Sequence, residues 1–423
     1  MRLKTVPGFT RLSVIVCCCA IVLAACGSGN PLPAGKNTGN QPVAAPPDKQ
    51  IVRMPAEGGD FATLDPALTA LTGEPMNIIF TGLVGLKADG TVGDQLAASH
   101  EVSADGLTYT FKLKPNLKFS DGSPLTADDV AYSINRAVSP ATKSNVRTYL
   151  NMLKDFDKIT SGKIPTLIGD SLIVKDPSTI SIVLSKPAAY FLQALTYPTS
   201  YVVQRKLIEQ YGDKWTDHLN EGGGAGPFKV ESYSHTTGLV LVPNPNYYGP
   251  KPKLQKIQYI IAGDRDSNYR ALRAGQYDIA LVPPSQIEFA SKQAGFQSIP
   301  SLTTNYIGLN YLAKPFDNIK IRQAFALAID KELIAKRIIG NASIPRNHIV
   351  LKGMAGYNEN LTGPTGVTSL AGDQAKAKQL FQEGLQEAGY GSVDKLPPLS
   401  LAYTVSYLVR RFISISGECI RVI

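Results

Sequence analysis

The chain has 423 residues, 43% of them hydrophobic, which is enough apolar material for two or three packed domains. Its 43 basic and 34 acidic side chains give a net charge of +9, spread along the chain with no Lys/Arg block interleaved with aromatics. This excludes a nucleic-acid binder and reads as a solvated basic surface beside anionic lipid.

The N-terminus carries Arg2, Lys4 and Arg11 ahead of an apolar run from Leu12 to Ala25 that is too short to span a bilayer. Residues 1–25 therefore read as a signal peptide. The run ends Leu23-Ala24-Ala25-Cys26, the pattern of a bacterial lipobox, whose small residues fit the signal-peptidase groove and whose cysteine thiol takes a diacylglycerol. Cys26 is thus the expected lipidation site and the first mature residue. Cys17, Cys18 and Cys19 fall in the discarded core, so with Cys26 spent on lipid only Cys419 remains, and a disulfide framework is excluded. Residues 26–48, rich in Gly, Ser, Pro, Asn and Ala, cannot bury enough surface to fold and read as a disordered tether. The expected location is the extracytoplasmic face of the cell membrane, with the bilayer engaged through the Cys26 anchor.

From Ile51 onward the pattern mixes helix and strand without internal repeats. Leu107, Tyr109, Phe111 and Leu113 alternate with Thr108, Thr110, Lys112 and Lys114, which predicts a strand with one buried face; Ile180, Ile182 and Leu184 repeat the pattern. Between them, Thr126 and Asp129 resemble a capping box, and Val130, Ile134 and Ala137 line one face of a helix over about 127–137. The run Gly222-Gly223-Gly224-Ala225-Gly226-Pro227 reads as a turn. Asp317 and Asn318 offer a cap for a helix carrying Ile321, Phe325, Ala328 and Ile329, and Asp330 starts a second with Leu333, Ile334 and Ile338. Asp373 caps a third, with Ala377, Leu380, Phe381 and Leu385, stopped by Gly389. Strands are expected to alternate with helices throughout, giving an α/β chain of more than one lobe.

Catalytic signatures are missing from the sequence. His100, His218, His235 and His348 are isolated, with neither a His-Glu-x-x-His pair nor a Cys/His cluster at metal-ligand spacing, so no metal site and no cofactor is expected. No Gly-x-Ser-x-Gly elbow occurs, and the glycine-rich run fits neither the Walker nor the dinucleotide pattern.

Five stretches in order resemble the family 5 extracellular solute-binding proteins, the oligopeptide and dipeptide receptors of ABC importers. These are Thr63-Leu64-Asp65-Pro66 with Gly82-Leu83-Val84; Phe119-Ser120-Asp121-Gly122 through Val130; and Gly226-Pro227-Phe228 with Asn244-Pro245-Asn246-Tyr247-Tyr248. The remaining two are Ala271 through Ile279, and Tyr306-Ile307-Gly308-Leu309-Asn310 with Pro315-Phe316-Asp317 and Ile321 to Asp330. Read on their own, most of these motifs are structural: Asp121-Gly122 is a turn, and Arg322 and Asp330 are expected to hold helices in place.

The resemblance implies a two-lobed periplasmic-binding-protein-like α/β fold with an extra subdomain in the first lobe, closing on ligand like a hinged trap. It divides the chain into lobe I at 49–85 and 222–280, the extra subdomain at 86–221, a partial lobe II at 281–406 and an aberrant tail at 407–423. The tail has no family counterpart, so the chain is expected to be truncated at its C-terminus, leaving the second lobe incomplete. The resemblance also implies a monomer without enzymatic activity that captures peptides and delivers them to membrane permease subunits. Its ligand-binding candidates are Thr72, Gly73 and Glu74, which resemble a segment laid along the ligand, with Leu281 and Val282, and Tyr306 and Asn310, flanking the crossing between lobes. A receptor for a nickel chelate, a sugar oligomer or a signalling peptide, a lipid-anchored hydrolase, and a non-functional truncated product remain alternatives, because fold does not fix ligand.

Overall fold

The computed structural model describes residues 45–57, 59–69, 75–299, 303–339, 343–352, 354 and 356–401. Among these residues ten strands form three sheets: β1 (Ile51–Ala56), β2 (Val84–Leu86), β3 (Val92–Asp94), β4 (Ala97–Val102), β5 (Thr108–Leu113), β6 (Leu172–Asp176), β7 (Thr179–Val183), β8 (Phe228–Ser234), β9 (Gly238–Pro243) and β10 (Lys256–Ile261). The first sheet has the order β1-β10-β9-β8, with β1 parallel to β10 and the other pairs antiparallel. The second is an antiparallel sheet in the order β4-β5-β7-β6, and β2 and β3 form a short hairpin. The first sheet is thus closed by segments far apart in sequence, and the second lies wholly within the interval between them. Pro55 sits in β1 without breaking the sheet because β1 is an edge strand, where a missing N–H costs no ladder bond.

In β5, Tyr109, Phe111 and Leu113 are buried as the alternation predicts. β7 departs from a one-faced strand. Ser181 is buried with Ile180 and Ile182, and its hydroxyl meets that of Thr110 at 2.8 Å on the neighbouring strand, so the polar face is covered and paired.

The helices needed below are α1 (Met76–Ile79), α2 (Ala127–Val138), α3 (Arg265–Arg273), α4 (Ile319–Ala328), α5 (Lys331–Ile339) and α6 (Gln374–Glu387). The capping box opens α2: Asp129 Oδ2 accepts from the Thr126 N–H at 2.8 Å, and Val130, Ile134 and Ala137 are fully buried against the second sheet's core. Of the two caps offered for α4, Asn318 is the one used, accepting from the N–H groups of Lys320 and Ile321. Asp330 and Asp373 cap α5 and α6 through Leu333 N–H and Lys376 N–H.

Among the described residues, the buried ones fall into three clusters. One lies between the second sheet and α2, and another between the first sheet, α1 and Trp215. A third lies between α4 and α6, where Ile321, Ala324, Phe325 and Ala328 meet Ala377, Leu380, Phe381 and Leu385. A Cβ at Gly384 would press on Ile321, so glycine permits this close helix crossing.

The expectation that strands alternate with helices throughout is corrected. After Ile261 the described residues form helices, 3₁₀ turns and irregular chain, with no strand. The alternation read as strand lies around Tyr109 and Ile180, before Ile261, whereas the local signals beyond it are the helix caps Asn318, Asp330 and Asp373.

Candidate ligand-binding site

Asp65, buried beneath the first sheet's core, accepts from Arg136 Nη1 at 3.0 Å and Nη2 at 2.5 Å, from Trp215 Nε1 at 3.1 Å and from the Ala67 N–H at 2.9 Å. Arg136 lies on α2 and its guanidinium sits 5.8 Å from the Trp215 ring centroid, while Phe80 meets the same indole edge-on at 5.9 Å. A single carboxylate thus ties the segment after β1 to α2 and to the chain's one tryptophan. All the good acceptor positions of a buried charge are satisfied, which is the condition for it to be tolerated.

The family-like motifs are knitted into this frame. Asp121 closes its own turn by accepting from Ser123, and Gln204 Nε2 donates to Asp121 Oδ2 at 2.8 Å while its Oε1 receives the Gly223 N–H at 3.1 Å. Asn246 Nδ2 donates to Ser120 O at 3.2 Å, and Asn244 Nδ2 to Gly226 O at 2.8 Å. The glycine-rich run passes against the end of α1, where a Cβ at Gly224 or Gly226 would collide with the Ile79 or Ile78 carbonyl oxygen. It is therefore a packing contact between backbones as well as a turn.

Three segments carry the candidate residues. Thr72, Gly73 and Glu74 lie outside the described residues. The chain on either side of them is well held: Ser144 Oγ donates to Ala67 O at 2.6 Å, and on the far side Gly226 N donates to Ile79 O at 2.9 Å.

Leu281 and Val282 follow a clamp. Asp278 receives the Arg53 N–H at 2.8 Å and Nε and Nη2 at 3.0 Å each, and returns its own N–H to Arg53 O at 2.8 Å. The hydrogen bonds and charge of Arg53 hold the Asp278 carboxyl below the ordinary carboxylate range. Past this anchor the chain opens out: Ile279 is 54% and Leu281 50% exposed, and the N–H groups of residues 280–282 have no hydrogen-bond partner among the described residues.

Tyr306 and Asn310 sit on the run that enters the helical pair. Leu309 packs on the α4–α6 core, whereas Tyr306 is 71% exposed and so is not held in a packed hinge. Asn310 Oδ1 accepts from the Leu312 N–H at 3.1 Å, a local turn that occupies half of its amide. The N–H groups of residues 305–310 likewise find no partner among the described residues. Among those residues no hydrogen bond or ion pair joins 281–282 to 306–310. Arg322 donates to the carbonyls of Phe316 and Asp317, a structural role that fixes the entry to α4.

Sequence reading missed the Asp65–Arg136–Trp215 group, although a lone tryptophan and an Asp in a family motif were its two available signals. Among the described residues no group of three His, Cys, Asp or Glu side chains could hold a metal, and no helix is long and apolar enough to cross a membrane.

Residues 91–411 match the bacterial extracellular solute-binding proteins, family 5 Middle. The chain is 28% identical over 332 residues to the dipeptide-binding protein DppE of Bacillus subtilis (strain 168), covering 78% of this chain and 60% of that protein. It is 27% identical over 394 residues to the oligopeptide-binding protein OppA of the same organism, covering 90% and 70%. Among solved structures, OppA of Burkholderia pseudomallei superposes with a TM-score of 0.76 at 25% identity, over 88% of this chain and 73% of that one. The fold is that of two-lobed α/β periplasmic binding proteins, and the chain spans 60% of the length of DppE.

Proposed function

The chain belongs to the bacterial extracellular solute-binding proteins of family 5, and from this premise we propose that it captures peptides outside the membrane and passes them to an ABC permease. One structural observation carries the peptide reading. Two irregular runs, 280–282 and 305–310, leave their backbone N–H groups without partners among the described residues, beside the exposed side chains of Ile279, Leu281 and Tyr306. Free backbone groups next to apolar surface suit an extended peptide, whose own N–H and C=O groups recur regardless of sequence. The similar DppE and OppA, a dipeptide-binding and an oligopeptide-binding protein, support the same ligand class.

In this reading Leu281, Val282, Tyr306 and Asn310 contact the peptide, with Thr72, Gly73 and Glu74 supplying a further edge. The protein does no chemistry of its own, acts as a monomer, and stays at the membrane through a lipid on Cys26. Lobe I comprises 49–85 and 222–280, the extra subdomain 86–221, and the second lobe begins at 281.

Thermal unfolding of the full chain tests this. A mixture of short peptides raises the midpoint, because ligand that binds only the folded state stabilises it by mass action. Sugars and nickel chelates at the same concentration leave it in place. A shift with those solutes and none with peptides contradicts the proposal.

A further inference from the structure

An open groove of about 470 Å³ lies between the turn after β5 and the loop after β9, lined by Lys114, Asn116, Lys118, Asn246, Tyr247, Tyr248 and two prolines. It shares no residue with the segments assigned to peptide. Its volume is within the range of small-molecule sites, roughly 300–1,000 Å³.

The floor is held rigidly. Tyr248 donates from its hydroxyl to Gln95 Oε1 at 2.7 Å, and Lys114 Nζ donates to Gln95 O at 2.5 Å while lying 4.7 Å from the Tyr248 ring centroid. Tyr247 leans on Tyr248 with centroids 4.6 Å apart, and Asn246 is fixed through its N–H to Asn244 Oδ1. Tyr247, Tyr248 and Asn246 are thus held before any ligand arrives, and the ordering that binding requires falls on Lys118 and Asn116.

The electrostatics are one-sided. No carboxylate lines the groove, and the exposed Lys118 ammonium makes no ion pair or hydrogen bond among the described residues. The other ammonium is committed to a carbonyl and a ring. The groove therefore offers the Lys118 cation, an aromatic wall, the Asn116 amide and the part of the Asn246 amide not engaged by Ser120 O. A ligand that uses all of these has an anionic group, a flat C–H face and several hydroxyls.

We propose that this groove binds an acidic sugar, a pyranose bearing a carboxylate, with the carboxylate on Lys118, the C–H face of the ring against Tyr247 and the hydroxyls on Asn116 and Asn246. The proposal is independent of the peptide reading.

Calorimetric titration of the full chain at low salt, with methyl glucuronide, methyl glucoside and inorganic sulfate as probes, tests it. Methyl glucuronide binds about tenfold more tightly than either other probe, through the charge-assisted hydrogen bond that the glucoside lacks and the ring contact that sulfate lacks. Lys118→Gln lowers glucuronide affinity about tenfold and Tyr247→Ala abolishes measurable binding. Because Lys118 is exposed, Lys118→Gln keeps the parent melting midpoint and the parent response to peptides, which separates this site from the peptide site. Absence of glucuronide binding, equal binding of glucuronide and glucoside, sulfate binding as tightly as glucuronide, or an unchanged affinity in Lys118→Gln overturns the proposal.

Discussion

Residues 46–261 and residues 281–401 are built on different principles. In the first region two four-stranded sheets are sewn together by polar side chains from distant parts of the sequence: Asp65 with Arg136 and Trp215, Gln204 with Asp121 and Gly223, Asn246 with Ser120. In the second, the described core is one helix pair, α4 against α6, and the chain around it leaves Tyr306, Tyr311 and Leu312 at 64–80% exposure. A network of long-range hydrogen bonds fixes a region cooperatively, whereas a helix pair fixes only itself. Local stability should therefore be uneven, with the second region the easier to open. A ligand-binding segment suits that region, since it has backbone groups to give.

The largest effect is expected where the first region's pins are removed. Asp65→Asn leaves the Arg136 guanidinium buried without its counter-charge and costs about 3–5 kcal/mol, read as a large fall in the unfolding midpoint by circular dichroism. A change below about 1 kcal/mol would mean that the pair does not hold the sheets together.

Next comes the helix pair. Leu380→Ala empties part of the α4–α6 contact and costs about 2–4 kcal/mol there. Hydrogen exchange should quicken in α4 and α6 and stay unchanged in β5 and β9. Equal acceleration in both regions would show a single cooperative unit and erase the distinction.

The smallest effect is set by pH, at a cluster on the first region's surface. His235 Nδ1 meets Asp60 Oδ2 at 2.6 Å, its Nε2 meets Asp217 Oδ1 at 3.1 Å, and Tyr233 donates to Asp60 at 2.8 Å. The hydrogen bond to Asp60, with the two negative charges, raises the imidazole above its ordinary value. Burial pushes the Asp60 carboxyl up, but hydrogen bonds from His235, Tyr233 and the Phe61 N–H outweigh it and hold the group low. The signs then oppose. The histidine's contribution is complete below its unfolded pKa of about 6.5 and fades as pH rises through its higher folded value. The aspartate's contribution is present above its unfolded pKa of about 3.9 and is lost as pH falls through its lower folded value. Stability from the cluster should plateau between about pH 5 and 6.5, and His235→Gln should flatten the curve above it. Solvent screening at this exposed site keeps the difference below about 1 kcal/mol. Identical pH curves for His235→Gln and the parent would remove the cluster from the account.

Much of the first region was legible because its signals are local. The alternation around Tyr109 and Phe111 marks a strand and Thr126 with Asp129 marks a helix start, and in the second region the caps Asp330 and Asp373 are as local. What local sequence does not give is pairing at a distance. No spacing around Asp65 specifies Arg136 and Trp215 as its partners, and the joining of β1 to β10 was implied only by the resemblance, which put 49–85 and 222–280 in one lobe. The second region was over-read as alternating strand and helix because the alternation around Tyr109 and Ile180 was extended along the whole chain, although only helices were marked there by local signals. Of the candidate ligand residues, Leu281 and Tyr306 are placed on open surface, whereas Asn310 spends its carbonyl on a turn and Thr72, Gly73 and Glu74 lie outside the described residues.

Hydrogen exchange of the full chain with and without a saturating tripeptide mixture asks whether peptide lies on the two irregular runs. Exchange should slow at residues 280–282 and 305–310, whose N–H groups gain peptide carbonyls, with no change in β5 or β7. Unaltered exchange at both runs under conditions where peptide raises the melting midpoint would contradict it, and would place the peptide elsewhere on the molecule.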